Sequence, residues 1–361
     1  MALEIRSPGP WLTTPRLVLR RPRADDLDDY VRLHTDPRTY SHAPHAMPDA
    51  EGCRERLARD LGEWADEGLG YAAVLDRASR AVIGWAGLRV VRDRDLGEPH
   101  LNLYYRLDHD HLGRGLGREI ARAVTSWGIE HRPDLPLQAA VDRGNDRSLA
   151  TARSAGLLDI GLSEPVPGSG VPPMHLLRAP CVVDVAAEEA PVDDLLDLWT
   201  RANDAGGAVG FLPGAPRAEV LGALRLHLEA VAAGGARLVT LREADRRLRG
   251  FGFWHHQLGR PYDHVAVLKR FMVDPQSQGR NLGRLLLAGM VGVLRRELPG
   301  IELLRLDYRS GLGLGDFYAS CGWTEVGRVP HGLLLGDGDY RDEVQMVRRV
   351  DGRPLPVDGR T

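Results

Sequence analysis

The sequence predicts a mixed α/β fold in two tandem domains. Three observations support this prediction. The chain has 361 residues, enough for two domains that each bury their own core. Short apolar runs typical of strands alternate with longer amphipathic runs typical of helices. The order of these runs in the first half returns in the second half, which indicates a duplication.

The repeat has a fixed spacing. Gly117 and Gly283 end two similar glycine-rich stretches and lie 166 positions apart. The same spacing separates the glycines of "SAGLLDIG" and "SCGWTEVG", Gly156 and Gly322. It also separates two aspartates that follow predicted strands, Asp108 and Asp274. Three landmarks at one spacing favour two copies of one structural unit.

In the first half, strands are predicted for the apolar runs at 16–20, 71–75, 81–91, 101–107, 137–141, 157–162 and 174–178. Helices are predicted at 24–33, where acidic residues fill the first turn, at 50–67, from Gly115 onward and at 147–155. In the second half, strands are predicted at 182–185, 237–241, 250–256, 267–273, 303–308 and 323–329. Two helices follow the first of these strands, another begins at Gly283, and a short one precedes the last strand.

The domain boundary is predicted near Pro180. Residues 1–180 would form the first domain and residues 181–350 the second. The segment 163–173 is rich in proline, glycine and serine, which is typical of a linker or loop. Residues 351–361 are predicted to be a disordered tail.

Composition excludes several classes of protein. A net charge of −3 gives no general attraction to nucleic acid or to an anionic membrane. Three cysteines, Cys53, Cys181 and Cys321, show no metal-binding spacing and cannot all pair, which favours a reducing compartment. The N-terminus lacks an apolar signal-peptide core, and no run is long enough to span a membrane. We therefore expect a soluble, cytoplasmic protein without a bound metal or a nucleic-acid partner.

The two glycine-rich stretches, "HLGRGLGRE" and "SQGRNLGRLLL", each stand between a predicted strand and a predicted helix. In such a turn, backbone N–H groups and the start of the helix attract anions. Neither stretch has the G-x-G-x-x-G pattern with a following acid, nor a Walker sequence ending in G-K-S/T. Two copies in register predict an anion-binding turn used twice.

The stretches resemble the pyrophosphate loop, Q/R-x-x-G-x-G/A, of the GNAT superfamily, the GCN5-related N-acetyltransferases. The second stretch fits this motif as Gln278, Gly279, Arg280, Asn281, Leu282 and Gly283, followed by Arg284. The first fits as Leu112, Gly113, Arg114, Gly115, Leu116 and Gly117, followed by Arg118. The preceding "FMVDPQSQ" resembles the fourth strand of the family, and Met272 and Val273 in it are predicted cofactor-binding residues.

The two halves resemble different branches of the superfamily. The leucine at position 112 and the start "TPRLVLRRPRADDLDDY" are similar to the branch that acetylates ribosomal proteins. The runs "VGFLP", "LKRFMVDP" and "FYASCGWTEVGRVP" are similar to small-molecule acetyltransferases of the tabtoxin-resistance type. The resemblance implies that each domain has a central mixed, splayed β-sheet flanked by helices. It also implies acetyl-CoA or another acyl-CoA as cofactor, and direct acyl transfer to the amine of a small molecule or a peptide. A monomer and a homodimer are both compatible with the sequence.

One residue of the second loop departs from the family motif. Asn281 stands where the first glycine of the motif is expected. Asparagine adopts the left-handed backbone conformation more readily than any residue except glycine. We therefore expect the loop to keep its shape, although the added side chain could crowd a phosphate.

The resemblance also implies the catalytic residues. Tyr318 occupies the position from which a family tyrosine protonates the leaving thiolate, the alternative being a packed ring. A phenol is a competent proton donor to a thiolate. The first half has Ala152 at the equivalent position, but its Asn145 and Ser148 match the N-x-x-S of the ribosomal-protein branch. Ser148 could contact the sulfur or cap the helix.

A general base is harder to assign. The ribosomal-protein branch often carries a glutamate on its fourth strand, where this chain has Asn102, which is not a useful base. Nearby alternatives in the first half are Glu98, His100 and His111. In the second half, His255 and His256 end the third strand, and only one of them can face the acceptor because neighbouring strand residues point to opposite faces.

The sequence therefore predicts an acyl-CoA-dependent N-acetyltransferase that acts on a primary amine of a small molecule. The second domain is favoured as the working site because it alone has the tyrosine. Two alternatives remain open. The first domain could acetylate the N-terminus of a protein or peptide, or the chain could be an acyl-CoA-binding scaffold with one degenerate domain.

Overall fold

The computed structural model describes residues 9–92, 98–163 and 172–355. Most of the predicted linker and the end of the predicted tail, residues 164–171 and 356–361, lie outside the described residues. The chain divides into two compact units. The first unit comprises Met1–Gly128 and Arg132–Pro180, and the second comprises Ile129–His131 and Cys181–Thr361.

The first unit is built on an eight-stranded sheet in the order β1-β2-β3-β4-β5-β6-β8-β7. Its strands are β1 (Leu12–Thr13), β2 (Leu17–Arg20), β3 (Tyr71–Asp76), β4 (Val82–Val91), β5 (His100–Leu107), β6 (Leu137–Val141), β7 (Leu158–Leu162) and β8 (His175–Arg178). Its helices are α1 (Leu27–His34), α2 (Ala50–Asp66), α3 (Leu116–His131) and α4 (Asp146–Ser154). The sheet and helices confirm the mixed α/β prediction for this half.

The second unit has a seven-stranded sheet in the order β14-β15-β13-β12-β11-β10-β9. Its strands are β9 (Cys181–Val185), β10 (Ala236–Arg242), β11 (Leu248–His256), β12 (Val265–Val273), β13 (Leu303–Arg309), β14 (Thr324–Leu334) and β15 (Tyr340–Arg349). Its helices are α5 (Val192–Asp204), α6 (Arg217–Ala232), α7 (Leu282–Glu297) and α8 (Leu314–Ala319). Seven strands of the first sheet, β2 to β8, follow the same order, so the two sheets are separate copies of one arrangement.

Each sheet is mixed and opens at one place. All neighbouring strands are antiparallel except two pairs, β5 with β6 and β12 with β13, which are parallel. The first parallel pairing covers only Leu101–Asn102 on β5, and the second covers only Val265–Val267 on β12. Beyond these residues the paired strands separate. This confirms the predicted splayed sheets and leaves a cleft in each unit, which we call the first cleft and the second cleft.

Strand β15 is absent from the sequence prediction. It pairs along its length with β13 and β14, and so completes the second sheet. Its run "YRDEVQMVRR" mixes charged residues with a few apolar ones, because only Val344, Met346 and Val347 in it are buried. The charged residues hide the apolar alternation that would have indicated a strand.

Helices cover both faces of each sheet. In the second unit, α5 and α6 form a core with Phe251 and Phe253 of β11. Helix α7 covers the other face, where the indole of Trp254 donates to the carbonyl of Met290 at 2.9 Å. In the first unit, α1 and α2 pack on β3 and β4 around the buried Trp85. Adjacent strand residues therefore divide between the two helical layers, as the pleat of a strand requires.

Among the described residues, no helix is both long enough and apolar enough to cross a membrane.

Candidate active site

The two glycine-rich turns have the same backbone shape. Gly113 and Gly279 adopt left-handed φ angles of 77° and 78°. Gly115 precedes helix α3 with φ 75° and ψ 7°, and Asn281 precedes α7 with φ 66° and ψ 3°. Asparagine therefore takes the conformation that glycine takes in the first copy. The prediction that the second loop keeps its shape is confirmed.

Both turns lead into the first turn of a long helix. The first-turn N–H groups of a helix lack carbonyl partners within that helix, so they point their positive ends out of its start. Gly113, Arg114 and Gly115 are exposed in the first turn, as are Gln278, Gly279 and Arg280 in the second. Leu116 and Leu282 point inward and anchor each helix start. Each turn thus offers exposed backbone and an arginine to an anion such as the pyrophosphate of acetyl-CoA.

An arginine far away in sequence supports the first turn. The guanidinium of Arg16 donates to Glu119 of α3 at 2.7 Å and to the carbonyl of Arg114 at 2.8 Å. Thr14 also donates to Glu119, at 2.6 Å. The segment before β2 is therefore fastened to the first turn. Sequence reasoning missed this contact because about a hundred residues separate its partners.

Tyr318 lies on α8 at the edge of the second cleft. Its ring packs among four aromatic rings, with centroid distances of 5.1 to 6.3 Å, those of Phe271, Tyr308, Phe317 and Trp323. Phe271 belongs to β12 and Tyr308 to β13, the strands that separate here. Burial raises the pKa of the Tyr318 hydroxyl, so the phenol is protonated at neutral pH and could serve as a proton donor but not as a base.

Helix α8 packs beside the second turn. A Cβ added at Gly283 would lie 3.4 Å from the ring of Phe317, the neighbour of Tyr318. Arg284, in the first turn of α7, donates to the carbonyl and the hydroxyl of Ser320 at 2.6 and 2.7 Å. The structure thus brings together the second loop and the predicted proton donor. Met272 and Val273 lie on β12, which leads to the same loop.

The equivalent helix of the first unit is capped by Asn145. Its side-chain oxygen accepts the backbone N–H of Ser148 at 3.1 Å, and it occupies the position before α4. This contact matches the preference of asparagine for helix starts. The capping role that the sequence offered for Ser148 therefore belongs to Asn145.

Tyr105 of β5 reaches the same helix. Its hydroxyl donates to the carbonyl of Ser148 at 3.0 Å, and burial raises its pKa. The spacing of 166 residues pairs Tyr105 with Phe271, so the repeat could have identified it. The first cleft therefore has a phenol at the position that Phe271 occupies in the second unit.

The predicted base residues differ in their surroundings. The amide of Asn102 donates to the hydroxyl of Tyr71 at 2.8 Å, and a ring nitrogen of His100 lies 2.8 Å from the carbonyl of Glu98. His111 lies in the single turn between β5 and the first loop. In the second unit, His255 faces α6, where its Nε2 lies 2.8 Å from Nδ1 of His227. His256 follows it and points to the opposite face.

The hydrogen bonds of His227 determine which ring nitrogens of His227 and His255 carry a proton. Arg270 can only donate, and its Nε lies 3.2 Å from Nε2 of His227. His227 therefore carries its proton on Nδ1 and donates it to Nε2 of His255. Burial lowers the pKa of His227 to about 4 and also lowers that of His255, so both are neutral at pH 7. Because the lone pair of His255 is already occupied, this arrangement does not favour it as the general base.

Strand β12 contains a β-bulge that β5 lacks. Between Phe251 and Phe253, strand β11 advances by two residues while β12 advances by three, from Met272 back to Lys269. Arg270 in the bulge has a φ of 53°. The pairing of β4 with β5 runs without a shift. Bulges redirect side chains and are frequent beside active sites, and this one lies where β12 leaves β13.

Comparison with known proteins adds a family. The model of the "Acetyltransferase (GNAT) domain" family matches residues 16–158, which include β2 to α4 and the first loop. Residues 16–158 are a GNAT acetyltransferase domain. This match confirms the predictions of an N-acetyltransferase and of acetyl-CoA as its cofactor. The two branch assignments remain predictions.

Solved structures of similar proteins each cover about half of this chain. An acetyltransferase from Agrobacterium tumefaciens is 27% identical, with 47% of this chain and 94% of that one covered, at a TM-score of 0.39. A ribosomal-protein-alanine N-acetyltransferase from Brucella melitensis is 16% identical, with 46% and 98% covered, at 0.39. A spermidine N-acetyltransferase chimera of Vibrio cholerae SpeG and hSSAT is 15% identical, with 47% and 96% covered, at 0.38.

Proposed function

We propose that the chain transfers an acetyl group from acetyl-CoA to the primary amine of a small molecule, and that the second cleft is the working site. The two domains of this proposal are residues 1–180 and 181–350. The main support for this proposal is that Tyr318 and the loop 278–283 lie at the same cleft. Phe317, the neighbour of Tyr318 on α8, packs against Gly283 at the end of the loop. The loop has the backbone shape of its counterpart in the GNAT domain.

The residues of the second cleft suit the needs of direct acyl transfer. Acetyl-CoA supplies the acyl group as a thioester, which a neutral amine can attack. The loop 278–283 and the start of α7 would hold the pyrophosphate through backbone N–H groups and Arg280. Tyr318 would give its proton to the sulfur as the carbon–sulfur bond breaks. The proton lost by the amine would pass to water.

A second candidate is acetylation of a peptide N-terminus in the first cleft. The family match, which lies in this half, favours it. Its loop has glycine at both left-handed positions, Gly113 and Gly115. Here the phenol at the cleft would be Tyr105, whose hydroxyl would have to leave the Ser148 carbonyl before it could donate to sulfur.

A matched pair of variants separates the two candidates. Arg114→Glu and Arg280→Glu reverse one exposed charge at equivalent places in the two loops, so neither should disturb the fold. Thiol release from acetyl-CoA would be measured on the full chain with small amines and with short peptides. Calorimetry would give the number of CoA molecules bound. Pantetheine, which lacks the pyrophosphate, would serve as the ligand control.

We expect Arg280→Glu to reduce turnover of small amines strongly, while Arg114→Glu keeps it. If only Arg114→Glu loses turnover, the active site is the first cleft and not the second. The unmodified protein should bind acetyl-CoA. If millimolar acetyl-CoA neither raises its melting temperature nor gives a calorimetric heat, the proposal of an acyl-CoA-dependent function is wrong.

A further inference from the structure

The acceptor side of the second cleft contains a cation without a carboxylate partner. Helix α7 covers one face of the second sheet, and α5 and α6 cover the other, which is the face we assign to the acceptor. Arg270, in the bulge of β12, projects to that face. It lies three residues beyond Val267, the last residue of β12 that pairs with β13.

The contacts of Arg270 are all neutral. Its Nε donates to the ring nitrogen of His227 at 3.2 Å, and its Nη1 to the carbonyl of Val209 at 3.4 Å. Its guanidinium also lies 5.5 Å from the centre of the Trp199 ring. A guanidinium has more N–H donors than these two hydrogen bonds use. The remaining N–H donors can pair with a carboxylate.

The contact of Arg270 with Val209 adds little to the stability of the loop after α5. The carbonyl of Val209 already accepts a shorter hydrogen bond from the Trp199 indole, at 3.0 Å. The loop that follows α5 is also held by Arg309, which donates to the carbonyl of Gly206 at 2.9 Å. The bond from Arg270 to this loop is therefore a secondary one.

No neighbouring acid compensates the charge of Arg270. Asp307 is the acid that acts on it electrostatically, but Asp307 forms its own ion pair with Lys269 at 2.9 Å. Among the described ranges 9–92, 98–163 and 172–355, no carboxylate lies within ion-pair distance of Arg270. Burial lowers its pKa from the usual value, and His227 and His255 beside it are neutral. A half-buried charge is costly unless a partner offsets it.

We propose that Arg270 binds the carboxylate of the acceptor, so that the acceptor is an amino acid or a similar small molecule with both an amine and a carboxylate. This inference rests on the proposed function of the second cleft. A carboxylate on Arg270 would offset the charge and orient the amine toward the cleft. The positive charge of Arg270 also disfavours polyamines, because their additional ammonium groups would be repelled.

The test compares acceptors that differ only in this charge. A set of amino acids would be assayed beside the corresponding amino-acid amides, with spermidine as a polycation. Because a charged hydrogen-bonded pair is lost in the amides, we expect kcat/KM to be roughly 10- to 100-fold higher for the acids. Arg270→Gln should abolish this preference by raising KM for the acids, while turnover of the amides is retained. Arg305→Gln, at an exposed residue of β13, is the matched control.

The outcomes separate this inference from the proposed function. If amides and acids are turned over equally well by the unmodified protein, the carboxylate site is wrong while the acetyltransferase function stands. The same holds if Arg270→Gln binds acetyl-CoA normally and keeps the preference for acids. If no amine is acetylated, the proposed function fails and this inference fails with it. Should Arg270→Gln not fold, the acid-to-amide ratio of the unmodified protein decides alone.

Discussion

Asn281 and Gly115 begin equivalent helices with nearly the same left-handed backbone, although one has a side chain and the other has none. Their φ angles differ by 9°, from 66° to 75°, and their ψ angles are 3° and 7°. A left-handed conformation costs most residues about 1–2 kcal/mol, and asparagine considerably less. Asparagine therefore preserves the turn, and its effect on function depends on what its side chain does to the phosphate.

Substitutions at position 281 separate these two effects. Asn281→Gly keeps the left-handed turn and removes the side chain, so acetyl-CoA affinity should stay the same or increase. Asn281→Val places a branched side chain in a conformation it avoids and should destabilise the second unit by about 1–2 kcal/mol. Urea unfolding and calorimetric titration would measure the two quantities. Gly115→Asn, the reciprocal change, should be tolerated, and a large loss of stability there would contradict this account.

Tyr318→Phe tests the proton donor. The ring and its contacts with four aromatic neighbours remain, and only the hydroxyl is lost. Turnover of a small amine should fall roughly 10²-fold, the usual range for a general acid, while acetyl-CoA affinity barely changes. Tyr308→Phe, which removes the neighbouring phenol on β13, is the control and should retain most of the activity. Near-normal turnover in Tyr318→Phe, with chemistry shown to be rate-limiting, would make Tyr318 a packing residue.

The first unit contains an ion pair between a buried aspartate and a partly buried arginine. Asp60 is fully buried and accepts from Arg89 at 2.6 Å and from the indole of Trp85 at 3.2 Å. Tyr30 also donates to Asp60, at 3.4 Å. Asp60→Ala leaves these three donors with fewer partners and should cost about 3–5 kcal/mol in the free energy of unfolding. The control is Glu67→Ala, since Glu67 pairs with Arg92 at the surface and should cost less than about 1 kcal/mol. Equal losses in urea unfolding would contradict the burial argument.

His34 makes the first unit sensitive to acid. Burial lowers the pKa of His34 to about 3, whereas an unfolded histidine has a pKa of about 6.5. At pH values between these two pKa values, His34 is protonated in the unfolded chain and neutral in the folded chain. The stability present above pH 6.5 is therefore lost as the pH falls. His34→Gln should reduce the loss of unfolding free energy between pH 7 and pH 5.

The quantity to compare is the loss of unfolding free energy between pH 7 and pH 5, in the His34→Gln variant and in the unmodified protein. Burial raises the pKa of Asp60 to about 6, so Asp60 takes up its proton in the folded state first and acts in the opposite direction. A variant of the exposed His264, His264→Gln, should keep the pH dependence of the unmodified protein. If His34→Gln shows that same dependence, His34 does not set the acid sensitivity.

The sequence by itself determined the features that depend on local chemistry. The alternation of apolar residues predicted most strands. The glycine-rich stretches, with their spacing of 166 residues, predicted the duplication and both loops. The loop shape at Asn281 was predictable because backbone preference belongs to the residue itself. Strand β15 was missed because its charged residues obscure the pattern that a strand would show.

The tertiary structure decided which distant residues meet. Arg16 reaches Glu119, and Tyr318 reaches Phe271, only because the order of the strands brings them together. The neutral state of His255 depends on His227 and Arg270, which come from two other elements of the second unit. The uncompensated charge of Arg270 likewise follows from Asp307 being paired with Lys269. Electrostatic surroundings are a property of three-dimensional neighbours, so no reading of the chain in one dimension could supply them.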